Sequence, residues 1–179
     1  VGDFKYRQQQ NDFVDWVQEF VVFAVPKGNP TKITDIADTC GQRIAVMAAG
    51  SAEIAIREQS KQCVAKGKRE VQVQTYADQP TSILAVRSKR ADAFFSSQAP
   101  LTYFVQQAKG DLELVALGRA NGFQDLYQGG VVPKGSPLGP VLVSAINTLI
   151  ANGTYGLVMK KWGLSGNQVA KAGLNLSAH

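Results

Sequence analysis

The sequence predicts an α/β fold built on a parallel sheet, and three observations lead there. Between residues 43 and 117, short β-rich apolar runs alternate with helical stretches, the spacing of a sheet covered on both faces. The first of these runs, at 44–47, passes through Ala48-Ala49-Gly50-Ser51 directly into a helical pattern, which reads as buried strand, tight turn and helix. Phe23-Ala24-Val25-Pro26-Lys27-Gly28 is nearly repeated at 129–135, so two similar extended segments flank the α/β unit.

Each element has its own local cause. Residues 1–19 are polar and irregular in pattern, with the base Arg7 ahead of Phe13 and Trp16. Residues 20–25 are an apolar strand, stopped by the turn-rich, linker-like Pro26-Lys27-Gly28-Asn29-Pro30. Thr34-Asp35 caps a short helix at 36–40 that Gly41 ends. A strand at 71–76 is followed by Asp78 and Pro80, which start a helix reaching Ser88. Residues 91–95 form the next strand, interrupted by Ser96-Ser97-Gln98; Pro100 then opens a helix, and 112–117 is the last strand of the series. After a loop at 118–128 and the strand at 129–135 come helices at 140–151, stopped by Asn152-Gly153, and at 155–162, capped by Thr154. The tail beyond Leu164 is small and polar and is expected to lie loosely on the surface.

Composition bounds the function. With 179 residues, 45% of them hydrophobic and 18% charged, the chain has the make-up of one ordinary domain or two small lobes and not of a disordered protein. Its net charge of +5 comes without a dense Lys/Arg block or interleaved aromatics, so no nucleic-acid partner is expected. No run approaches a membrane span. No signal-like region follows Val1, so the natural chain is expected to start earlier. Cys40 and Cys63 bracket the strand and helix of the central stretch, a placement that suits a disulfide worth roughly 3 kcal/mol and an exported location; two buried reduced thiols are the alternative. Two distant cysteines and His179 do not make a metal site, and no cofactor is expected.

The helix capped by Ser51 is the candidate ligand element. The first amides of a helix lack intrahelical acceptors and its dipole makes that end partly positive, so a small carboxylate can dock there. Gly50 lets a ligand approach the backbone closely. The plainer alternative is a strand-to-helix junction whose Ser51 only caps its own helix. In an open sheet, ligands sit beyond the carboxyl ends of the strands, which is where Gly50-Ser51 and Ser96-Ser97-Gln98 both fall.

Asp12-Phe13-Val14-Asp15 ahead of a strand ending VPKGNP, then CGQRIAV, EQSKQC, RADAFF, YQGGVVPKG and NGTYGLVMKKWG, follow one another over nearly the whole chain. In that order they resemble the family 3 extracellular solute-binding proteins, the capture components of polar amino-acid ABC transporters. The resemblance implies a type II periplasmic-binding-protein fold, with one complete parallel α/β lobe at 29–117 and an incomplete first lobe. Residues 1–28 would be a remnant of that lobe and the first crossing strand, and 118–179 the second crossing segment, the C-terminal helices and the tail. It further implies a non-enzymatic protein that closes over an amino acid or related small carboxylate and delivers it to a membrane ABC permease. The location is then periplasmic or extracellular, free or membrane-anchored.

Residue by residue, the resemblance places Arg7 against the ligand's α-carboxylate, with Gly50 and Ser51 on the other side of the same group. Ser96, Ser97 and Gln98 stand where many relatives carry an Asp for the α-ammonium, and Met47 stands where relatives often present a polar side chain, unless it is strand core. Two other functions stay open: a dehydratase on the same scaffold, which needs a general acid facing the cleft, and a ligand-sensing module of a larger receptor. The helices at 140–151 and 155–162 carry apolar faces for which self-association or marginal stability is expected.

Overall fold

The computed structural model describes residues 1–177, and the chain divides into two compact units, Val21–Gly122 and Val1–Phe20 with the chain from Phe123 on. In chain order the elements are α1 (Lys5–Gln8), β1 (Asn11–Gln18), β2 (Val21–Pro26), β3 (Arg43–Met47), α2 (Ser51–Ala65), β4 (Gln72–Tyr76) and α3 (Gln79–Arg87). They continue with β5 (Ala93–Ser97), α4 (Gln98–Gln107), β6 (Leu112–Val115), β7 (Tyr127–Pro133), α5 (Leu138–Ala151), α6 (Thr154–Lys161) and β8 (Gln168–Leu174). Short 3-10 turns at Ile36–Thr39 and Ser165–Asn167 punctuate them.

The unit Val21–Gly122 is a five-stranded sheet in the order β4-β3-β5-β2-β6, clad by α2, α3 and α4. β3 pairs in parallel with β4 and β5, but β2 runs antiparallel to both β5 and β6, so the sheet is mixed and not parallel throughout. β2 thus sits between β5 and β6 in this sheet. Val21 to Val25 are all buried, and a strand with no polar face gains most from a central place with both faces covered. Phe23 stacks on Phe95 of β5 with ring centroids 4.4 Å apart, in a core shared with Ile44, Ile56, Phe94 and Leu101.

At the start of β3, Asp92 locks the sheet. It accepts from the Arg43 backbone N at 2.8 Å and pairs with the Arg43 guanidinium at 2.6 Å, which holds the Asp92 carboxyl below its usual range against the upward push of burial. The expected disulfide joins Cys40 to Cys63, fixing the 3-10 turn before β3 to the last turns of α2.

The other unit is an antiparallel sheet in the order β7-β1-β8, packed against α5. Two expectations fail here for the same reason. The N-terminal stretch holds an eight-residue central strand, and the tail forms the edge strand β8 instead of lying loosely. Both segments look polar, but their polar groups are paired internally. Asp12 accepts from Lys134 Nζ at 2.8 Å, Gly135 N at 2.7 Å and Asn175 Nδ2 at 2.9 Å. Asn147 of α5 brackets Ala172, donating to its carbonyl and accepting from its amide. His179 lies outside the described residues. Leu138 and Val141 on α5, Leu157 on α6 and Trp162 at the C-cap of α6 are each at least half exposed.

Candidate functional site

The candidate site is built at one edge of the five-stranded sheet. β3, β4 and β5 run in parallel, so their carboxyl ends share that edge, and each hands the chain to a helix starting there: α2 after β3, α3 after β4, α4 after β5. Three helix N-termini therefore gather at one rim. Asn121, which the sequence reading passed over, ties the rim together: its Nδ2 donates to Val21 O at 2.8 Å and Ala116 O at 3.1 Å, and its Oδ1 accepts from Ile36 N at 3.2 Å.

At the first terminus the cap lies one residue earlier than expected. Ala49 takes a left-handed conformation (φ 58°), which turns the chain before Gly50. Gly50 is thereby extended (φ −87°, ψ 158°) and is the N-cap, while Ser51 is the first helical residue and does not cap α2. A non-glycine residue held at positive φ costs on the order of 1 kcal/mol. Among the described residues, none accepts a hydrogen bond from the amides of Ser51 and Ala52, whereas Glu53 N and Ile54 N bond to Gly50 O. The helix mouth thus offers two backbone donors.

Glu53 reaches back across the mouth: its Oε2 accepts from Ala49 N at 2.8 Å, and its Oε1 from Arg57 Nε at 2.8 Å. The Arg57 bond first, and then the Ala49 amide, hold its carboxyl below the usual range. Asp78 caps α3 by accepting from Thr81 N at 2.8 Å, which also lowers its carboxyl. Both acids lie at this end of the sheet, and capping chemistry had hidden them, since an acid near a helix start reads as a cap.

β5 extends two residues further than expected. Ser96 and Ser97 pair with Val22 and Val21 of β2, Ser97 is the N-cap of α4, and the helix opens at Gln98 rather than at Pro100. Ser96 is buried, and Met47, at the end of β3, is half-buried. Because β3 and β5 are adjacent, Met47, Gly50 and Ser51 leave the sheet beside Ser96, Ser97 and Gln98. Arg7 belongs to the other unit. It lies in α1, donates from Nη1 to Gly2 O at 3.0 Å, and its guanidinium sits 5.1 Å from the Phe4 ring centre and 5.3 Å from that of Tyr6.

No family model matches the chain. It is 28% identical over 178 residues to the arginine-binding protein ArgT of Corynebacterium glutamicum, an alignment that covers 97% of this chain and 56% of that protein. The structure superposes on the arginine-, lysine-, histidine-binding protein ArtJ of Geobacillus stearothermophilus with a TM-score of 0.69 at 20% identity, over 94% of this chain and 68% of that one. It matches an ancestral arginine-binding protein bound to arginine with a TM-score of 0.64 at 21% identity, over 89% and 67%. The chain is thus similar to amino-acid-binding proteins over part of their length. The periplasmic-binding-protein fold is shared with these structures, and the chain spans just over half the length of its curated relative. The sheet edge described above is where its three strand-to-helix turns meet.

Proposed function

We propose that this chain is the ligand-gripping part of an extracytoplasmic solute-binding protein that captures an amino acid, the basic ones foremost, for an ABC permease. The observation that carries the proposal is the pair of Ser51 and Ala52 amides, which have no acceptor among the described residues at a partly positive helix end. In this reading they receive the ligand's α-carboxylate. Gly50, Met47, Ser96, Ser97 and Gln98 line the rim around it.

Ser96, Ser97 and Gln98 supply no counter-charge for a ligand ammonium, but Glu53 and Asp78, both favoured in their ionised forms, put negative charge at the same end of the sheet. That balance suits a solute carrying both signs. The matched relatives named for arginine, and for arginine, lysine and histidine, support the same choice. The domain roles follow the resemblance: Val21–Gly122 serves as the second lobe and the other unit as part of the first. The exposed apolar residues of α5 and α6 support self-association of this chain, which sedimentation at rising concentration measures.

The test uses the chain as it stands. Titration with L-arginine, with acetate as the bare carboxylate, is followed by nitrogen-15 amide shifts. The Ser51 and Ala52 amides are expected to move most. Ser51→Pro deletes one donor at a helix position that proline tolerates, after a Gly50 whose extended backbone is compatible with it. A charge-assisted bond is worth about 1.5–3 kcal/mol, so Ser51→Pro should weaken binding roughly 10–150-fold, with Ser51→Ala separating the amide from the hydroxyl. Unmoved amides, or a Ser51→Pro variant that binds as tightly as the parent, refute the proposal.

A further inference from the structure

A second concentration of unusual chemistry lies in the unit that contains α1 and β1, where two acids are buried between the chain's two ends. Asp3 and Asp15 are both fully buried. Asp3 accepts from Gln8 Nε2 at 2.8 and 3.0 Å and from Ser177 N at 2.9 Å. Asp15, on the central strand, accepts from Leu176 N at 2.9 Å through Oδ2, while its Oδ1 is buried with no donor among the described residues. The segment 175–177 thus spends its three amides in one place: Asn175 on Phe13 O, Leu176 on Asp15 and Ser177 on Asp3.

Among the described residues, no basic side chain compensates the pair. Lys134 is engaged by Asp12, Arg7 by Gly2 O, and Lys5 of α1 and Lys171 of β8 are exposed. α5 has no ionisable residue, and β7 carries only Tyr127. Glu19, just past the end of β1, adds a further acid. The Val1 ammonium favours ionised Asp15 but donates to Gly129 O.

We propose that Asp3 and Asp15 form a proton-operated latch, in which one proton held by the pair fastens the segment 175–177 to β1 and its loss loosens that segment. A protonated Asp15 Oδ1 becomes a donor, and Asp3 beside it is the acceptor. Burial pushes the Asp15 carboxyl up to about 7; the Asp3 carboxylate adds to that, and the two outweigh the Leu176 amide, which favours the charged form. With the segment released, Asp15 is solvated and returns to its ordinary 3.8, so closing takes up a proton between 3.8 and about 7. The latch is therefore tightest below that window. It weakens about tenfold per pH unit as pH rises through the window and no further above it.

Hydrogen exchange at the Leu176 and Ser177 amides, corrected for the intrinsic pH dependence of exchange, tests this in the intact chain. Protection is expected to fall about tenfold per unit from mildly acidic pH to about 7 and then level off. Asp15→Asn keeps an oxygen for the Leu176 amide and gives Asp3 a permanent donor, so its protection should not change with pH. Flat protection in the parent, or an unchanged slope in Asp15→Asn, overturns the latch. A carbon-13 titration of the Asp15 carboxyl in the parent serves where the variant does not fold: a midpoint near 7 supports the latch, and one near 3.8 overturns it.

Discussion

Reducing the Cys40–Cys63 bridge isolates one term of stability whose size follows from the chain itself. The two cysteines are 23 residues apart, and the bridge closes that loop across β3 and most of α2. In the loop-closure model the unfolded chain loses about 2.1 + 1.5R ln n cal/mol/K, which for n near 23 is roughly 3.4 kcal/mol at 25 °C. In a unit of this size each kcal/mol moves the midpoint by about 4–8 °C, so reduction should lower the Tm of that unit by about 14–27 °C. Cys63 is fully buried, so the matching variant replaces it with Ala, which leaves no unsatisfied hydroxyl, and replaces Cys40 with Ser.

Thermal unfolding followed by circular dichroism, with and without reductant, reads the shift, and urea unfolding converts it to free energy. Because the bridge holds the last turns of α2, the Ser51 and Ala52 amides should also respond less to ligand once it is reduced. A Tm that falls by less than about 5 °C on complete reduction refutes the loop-closure reasoning for this chain.

Two further expectations concern the other unit. A Cβ on Gly129 would land on the Val14 carbonyl oxygen of the paired strand, so Gly129→Ala should cost about 3 kcal/mol or more and strip hydrogen-exchange protection from Phe13 and Val14; a variant exchanging like the parent contradicts this. Asp12 is held at about 2, by Lys134 first and then by Asn175 and the Gly135 amide. Its lowered value means a stabilising contribution present above 3.8 and lost as pH falls towards about 2. Urea midpoints over that range should therefore drop less steeply for Asp12→Ala, and parallel acid limbs in parent and variant would rule this out.

The strand-to-helix alternation from residue 43 onward was legible because each element carries its own signal. Ile44, Ala45 and Val46 form an apolar run, Asp78 and Pro80 mark a helix start, and Gly153 at φ 82° marks where one helix ends and another begins. The cap of α2 was misplaced by one residue because it depends on the left-handed backbone at Ala49, an alanine in a conformation its side chain disfavours. Glu53 and Asp78 escaped notice as rim acids because local capping geometry accounts for them equally well.

What the sequence determined unaided is whatever a few neighbouring residues decide: the helices, most strand positions, the cysteine placement and the gathering of turns at the carboxyl ends of β3 and β5. Only the tertiary structure decided that β2 runs antiparallel inside the five-stranded sheet, that the tail is an edge strand, and that Asp3 meets Asp15 beneath the Ser177 amide. Those features rest on hydrogen bonds between residues up to 174 positions apart, and a polar side chain looks the same in sequence whether water or a distant amide will satisfy it.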